Sequence, residues 1–167
     1  GTLKYGIASA ISSGAVTIAG GTYDMASFSD TVGAFTLIEG SILDSVSGVT
    51  GGILTGTSYT IESGTISTPL AGGTAQMTKN TKGTVTITAA ATYSATTTIN
   101  AGTITLSGSG SAVSSAFTIN LGGTLTLDNT STNVASRLGD ATALTMNGGN
   151  FNFIGSASAA ASETTGT

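Results

Sequence analysis

Cysteine, histidine and tryptophan are all absent from these 167 residues, and proline occurs once, at Pro69. Without cysteine there is no disulfide framework and no thiolate metal site, although that alone does not fix the compartment. Without histidine the chain lacks the commonest general base and the commonest neutral metal ligand. Charge is scarce as well: charged residues make up 7 % of the chain, against about a quarter in ordinary globular domains. The cations are Lys4, Lys79, Lys82 and Arg137, set against eight acids for a net charge of −4. Four scattered cations build no phosphate-neutralising surface, so nucleic acid is not expected as a partner. No polybasic cluster adjoins an apolar helix, and no apolar run approaches the ~20 residues of a membrane-crossing helix. Direct membrane insertion of this segment is therefore not expected.

What fills the chain instead is Thr, Ser, aliphatic residues and 25 glycines. Disorder normally combines low hydrophobicity with high charge. Here 39 % of residues are hydrophobic and mean hydropathy is positive, so the chain is expected to fold. Its length suits one unit with a real core, or one piece of a longer rod. It opens on GTLKY without a signal peptide and closes on ETTGT, both in mid-pattern. The expectation is that residues 1–167 are a single segment of a longer polypeptide or of an end-to-end polymer, with any export signal or anchor outside it.

Self-similarity carries the most information. An apolar–Thr–apolar triplet, two variable residues, Gly and a further apolar stretch recur as VTIAGGTYDM (16–25), FTLIEGSILD (35–44) and YTIESGTIST (59–68). They return as TTINAGTITL (97–106), as FTINLGGTLTL with one extra Gly (117–127), and as LTMNGGNFNF (144–153). GTLKY (1–5) and KGTVTIT (82–88) are weaker relatives. Thr17, Thr36, Thr60, Thr98, Thr118 and Thr145 hold one position, flanked by mostly aliphatic or aromatic residues. Alternation with period two marks a half-buried strand with Thr outward. After the Gly a second strand follows, with Tyr23, Ile42, Ile66, Ile104, Leu125 and Phe151 read as its inward row. Asn100, Asn120 and Asn147 precede the corner, where a left-handed backbone would suit them.

Copies about twenty residues apart, each unable to bury its own apolar side, fit a solenoid. Stacked in register, they hydrogen-bond to the rungs on either side and pile like residues into interior rows. No segment shows a capped helical stripe. The expected fold is all-β: a single-stranded parallel β-helix of about seven or eight rungs, roughly 35–40 Å long at ~4.8 Å per rung. The Ser-, Ala- and Gly-rich stretches between copies form an irregular third side. The longest, DNTSTNVASRLGDA (128–141), is expected to bulge.

TYSATTTINAGTITLSG (92–108) resembles the autotransporter-associated β-strand repeat, and SRLGDATALTMNGGNFNFIG (136–155) is similar to a continuation common in large bacterial proteins that carry many such repeats. The resemblance implies a right-handed β-helix exported to the bacterial cell surface, with a passenger role in adhesion or surface structure.

For chemistry the residues offer little. Glycan-cleaving β-helices need clustered carboxylates and a basic residue. Here Asp24 and Asp44 are expected to stack on one face, and Glu39 and Glu62 near a neighbouring corner, chiefly keeping a nearly uncharged rod soluble. No base accompanies a Ser or Thr nucleophile. The calcium-binding nonapeptide of β-rolls and the helix–loop–helix calcium loop are both missing; Gly139–Asp140 is read as a turn. NTS (129–131) matches the glycosylation pattern by its letters alone, and the Gly108–Gly110 region is a corner, not a phosphate cradle. Thr103/Thr105 and Thr124/Thr126 form a Thr-x-Thr array like those of ice-binding solenoids. Aligned by the repeat, its ranks break at Thr22/Asp24, Ser41/Leu43 and Asn150/Asn152. No catalytic, cofactor-binding or metal-ligating residue is nominated.

Neither end carries a polar cap, which solenoids normally have. The leading expectation is therefore a non-catalytic extracellular module that builds a stiff surface rod or fibre, its partners being further copies or flanking repeats end to end. An adhesin passenger touching cell-surface or matrix components through loops is the alternative. A polysaccharide-active enzyme or an ice-binding protein ranks below both.

Overall fold

A computed structural model describes residues 1–46 and 51–166. Every named strand pairing is parallel, and no helix occurs among the described residues. Two long strands, β2 (Val16–Asp24) and β4 (Ala34–Leu43), bend through both main faces and join them into one 13-stranded sheet. The first face continues from β4 through β6 (Ser58–Ile61), β9 (Gln76–Lys79), β11 (Thr97–Ile99) and β13 (Phe117–Asn120) to β15 (Leu144–Asn147). The second begins at β1 (Thr2–Lys4) on β2. From β4 it runs through β7 (Gly64–Ile66), β10 (Thr84–Ile87), β12 (Gly102–Leu106) and β14 (Gly123–Asp128) to β16 (Asn150–Ile154).

A third side is built from β3 (Asp30–Thr31), β5 (Leu54–Thr55) and β8 (Leu70–Ala71), and continues as isolated bridges Ala90–Ser111 and Ala112–Leu138. The fold is the expected parallel β-solenoid, but with about six turns instead of seven or eight. The difference lies at the ends. Third-side pairing runs through the levels of Asp30, Leu54, Leu70, Ala90, Ala112 and Leu138, while β1 and β16 add strands beyond the closed part. At ~4.8 Å per level the closed part is about 30 Å long.

The Thr row is where the repeat put it: Thr17, Thr36, Thr60, Thr98, Thr118 and Thr145 stack, with Thr78 filling the doubled interval. QMTK (76–79) is thus the copy that the repeat search passed over. On the second face the six expected residues all face inward, but they belong to two rows that lie two residues apart. Ile66 stacks on Ile87, Leu106 and Leu127, whereas Ile104 and Leu125 stack on Val85 and Gly64. The later strands are longer at their N-terminal end, so aligning on the corner Gly misjudges them. A slip of two keeps every side chain on its own face, which is why the alternation itself could not expose the error.

Inside, the rows are continuous. Phe35, Tyr59, Met77, Thr97 and Phe117 form one, all buried. Tyr5, Tyr23, Phe35, Tyr59 and Tyr93 stack along the axis with centroids 5.3, 5.8, 6.3 and 5.8 Å apart, the tilted and edge geometries that aromatic rings prefer. Three interior hydroxyls are paired among themselves: Thr97 bonds Tyr93 at 2.9 Å and Ser115 at 2.8 Å.

The corner between the faces is made in two ways. In the early turns Gly21, Gly40 and Gly64 stack with φ of 100°, 122° and 125°, and a Cβ on Gly40 would lie 2.3 Å from the Gly21 carbonyl oxygen. Only glycine tolerates both conditions. In the later turns Asn80, Asn100, Asn120 and Asn147 form an amide ladder, each Nδ2 donating to the preceding Oδ1 at 2.8, 2.7 and 3.1 Å. None of these asparagines has positive φ. They serve the ladder, and the left-handed backbone expected of them falls to Gly102, Gly122 and Gly148.

Candidate functional site

The polar side chains fall into three groups: two buried cations, a set of carboxylates that hold loops, and the outward hydroxyls of the ladders.

Arg137 and Lys79 are both fully buried, although their sparse distribution in the sequence suggests surface charges. Arg137 lies where the third side returns to the rod after β14. Its Nε donates to Asn129 Oδ1 at 2.8 Å, and its two terminal nitrogens donate to the carbonyls of Gly110, Gly108, Asp128 and Thr132 at 2.5–3.0 Å. The guanidinium's fixed fork suits five acceptors from two turns of backbone. Burial pushes its pKa down, opposed by Asp128 and Glu163, but an arginine stays charged regardless. Thr130–Ser136 are mostly exposed between the buried Asn129 and Arg137. The expected bulge therefore exists, pinned at its base.

Lys79 replaces an aliphatic residue in the row Ile61–Lys79–Ile99–Ile119. Its Nζ donates to the Thr81 carbonyl and lies 3.9 Å from Glu62 Oε2. Burial lowers its pKa and Glu62 partly restores it. A signal for this was present in the sequence: aligned on Asn80, Asn100 and Asn120, MTKN, TTIN and FTIN place Lys79 at an inward position.

The acids do more than keep the rod soluble. Asp24 and Asp44 do not stack as expected, because Asp24 pairs with Leu43 and Asp44 lies one residue further on; both are engaged in holding a loop. Asp24 accepts the N–H groups of Ala26 and Ser45, both at 3.0 Å, and pairs with Lys4 at 3.5 Å. Asp44 accepts those of Ser27, Val46 and Gly52 at 2.8, 3.1 and 2.9 Å. The loop they hold carries Ala26 and Ser27 at φ 46° and 66°, an unfavoured backbone that needs such support. Burial raises both pKa values, yet the donated hydrogen bonds outweigh it and leave each below the ordinary carboxylate range.

Asp30 is buried beneath Tyr5, whose hydroxyl donates to it at 2.6 Å. Glu62 accepts the N–H groups of Asn80 and Thr81 at 3.1 and 2.8 Å, closing the corner of the following turn. Glu163 accepts those of Arg137 and Leu138 at 2.9 and 3.1 Å. Burial raises the pKa of Glu163. Carboxylates so occupied have few lone pairs left for a cation, and no three acids gather among the described residues. Nor do the described residues enclose a pocket. Gly139–Asp140 lies in the expected turn, with Thr142 N donating to the Gly139 carbonyl at 2.9 Å.

The ladder faces are the remaining surface. On the second face Thr22, Ser41, Thr65, Thr86, Thr105 and Thr126 share one outward row that ends on Asn152. Thr84, Thr103 and Thr124 form a second that ends on Asn150. At the two ends the interior rows emerge: Leu3 is exposed at one, and Met146 and Phe153 at the other. Comparison of the chain with protein-family models, with curated proteins and with solved structures finds no match.

Proposed function

We propose that the chain is a non-catalytic extracellular structural module, a length of stiff rod or fibre at a bacterial surface. One observation carries the reading: interior side-chain rows run the length of the rod and open at both ends as apolar surface, at Leu3 and at Met146 and Phe153. Uncapped ladder edges favour the addition of further strands. Continuing the register sets Thr2 over Asn152 and Leu3 over Phe153, extending rows already present. It also leaves one level of the first face open between β15 and the next β2, which a flanking repeat of the same polypeptide supplies and a bare second copy does not. The partners are therefore flanking repeats, or copies joined through one added strand. Stiffness comes from the stacked ladders. Three lysines and one arginine, two of the four buried, leave few sites for trypsin-like proteases. The resemblance to autotransporter-associated repeats agrees with export and a surface location.

The test is electron microscopy of the purified chain beside Phe153→Lys, which places a charge at the open end. Filaments, or end-paired rods that Phe153→Lys separates, support the reading. Separate rods unaffected by the substitution, with no association with a flanking repeat supplied in trans, overturn it. The second reading is an adhesin passenger, favoured by the exposed 130–136 excursion fixed at Asn129 and Arg137. Deleting residues 130–136 abolishes attachment to cells or matrix if that reading holds, and leaves rod length unchanged if the first one does.

A further inference from the structure

The second face carries a surface that the structural role does not use. In the correct register its outward positions form two parallel ranks over three consecutive turns, Thr84/Thr86, Thr103/Thr105 and Thr124/Thr126, closed by Asn150/Asn152. The pairing runs residue for residue through these four strands. The sequence alignment broke the same array by matching Thr103 to Thr22. In the structure Thr22, Ser41 and Thr65 extend the Thr105 rank instead. Spacing along a rank is the ladder repeat of about 4.8 Å, and spacing between ranks is two strand residues, about 6.6 Å.

Two further features describe this array. Several Ser and Thr hydroxyls in loops and corners are consumed internally, as at Ser27, Thr81, Ser115 and Thr142, and within the array Thr126 is buried and accepts from Asn152 Nδ2 at 3.4 Å. The hydroxyls of Thr84, Thr86, Thr103, Thr105 and Thr124 make no bond within the described residues, though all five are at least partly exposed. The outward positions of the four strands from Thr84 to Asn152 carry no aromatic ring, and the one charge among them, Asp128, lies at the end of β14 beyond both ranks. A charged patch would hold its own liquid-like hydration, and a sugar lattice is gripped by flat aromatic rings. Paired methyl and hydroxyl groups on a fixed two-dimensional grid, with free hydroxyls and no charge, fit a periodic array of water. Hexagonal ice likewise presents its surface oxygens on a regular two-dimensional grid.

We infer that this second-face threonine array binds ice, the solid itself being the ligand. The first face offers no such grid, because only one threonine rank, Thr17 to Thr145, crosses it.

The experiment uses the whole chain in dilute buffer. Its partition into a slowly growing ice hemisphere and the freezing hysteresis of a seeded crystal are measured beside Thr105→Lys, Thr124→Tyr and the first-face control Thr98→Lys. Parallel-sheet circular dichroism is recorded for each. Expected are enrichment of the wild-type chain in ice, at least a tenfold loss of hysteresis for either second-face variant, and no loss for Thr98→Lys. If Thr105→Lys fails to fold, Thr124→Tyr decides alone. Exclusion of the wild-type chain from ice overturns the inference. So does undiminished binding by a folded second-face variant, or binding to crystalline cellulose without binding to ice.

Discussion

Replacing Arg137 by methionine keeps most of the buried stem and removes the group that ties the third side to the ladder. Four backbone carbonyls, of Gly108, Gly110, Asp128 and Thr132, and the Asn129 side-chain oxygen lose their donor together. Bonds to a charged donor contribute ~1.5–3 kcal/mol each in isolation. They do not add, because the substitution also relieves the desolvation of the guanidinium and water reaches the exposed side of the excursion. The net cost expected for breaking a buried ionic hub is about 3–5 kcal/mol. Arg137→Lys keeps the charge but has three donors and no fork, and is expected to lose about half of that.

The loss is local, since each turn of a solenoid touches only its neighbours. Urea unfolding measures the total, and hydrogen exchange locates it. Protection should fall at the Ala112 and Asn129 amides, which donate to Arg137 O and Ile154 O at 2.7 and 2.9 Å. It should stay unchanged in the β4–β6 ladder. A folded Arg137→Met within about 0.5 kcal/mol of wild type, the range of an ordinary surface change, would falsify the assignment of Arg137 as the tie. Uniform loss of protection along the rod would contradict its locality.

Lys79→Met restores an unbroken aliphatic row and is expected to stabilise by about 1 kcal/mol at neutral pH, measured by urea unfolding, whereas Glu62→Gln, which strands the cation, destabilises. Because the folded-state pKa of Lys79 is depressed, the unfolded chain binds more protons between that value and ~10.4; wild-type stability should rise with pH in this window relative to Lys79→Met. Asp44→Ala removes the acceptor of three loop N–H groups and should cost about 2 kcal/mol, with faster exchange at Ser27 and Gly52. The lowered pKa values of Asp24 and Asp44 give stability that is present above ~pH 4 and lost as pH falls through their folded-state values, so acid should open this loop first. Gly40→Ala combines a φ of 122° with a Cβ 2.3 Å from a carbonyl oxygen, and a loss above about 2 kcal/mol in thermal unfolding is expected.

The repeat disclosed the architecture because a solenoid writes one local pattern many times. Period-two alternation assigned Thr17, Thr36 and their equivalents to the outside, and like-on-like stacking followed from their equal spacing. GTLKY was legible as a relative of the repeat for the same reason, and β1 pairs with the second-face half of β2. What escaped were positions where a letter's role depends on a partner one turn away. Arg137 and Lys79 read as surface charges until the carbonyls and the carboxylate that satisfy them are brought near. Asp24 and Asp44 read as solvated until the amides of the next turn close on them.

The sequence alone determined the parallel coil, the outward Thr row and the apolar rows inside, since these depend only on alternation along the chain. The tertiary structure decided the two-residue register of the second face, the count of closed turns and the burial of the ions. A shift by two residues preserves alternation, so only the packing of one turn on the next distinguishes the registers. A buried charge is tolerable only where the fold delivers its partners.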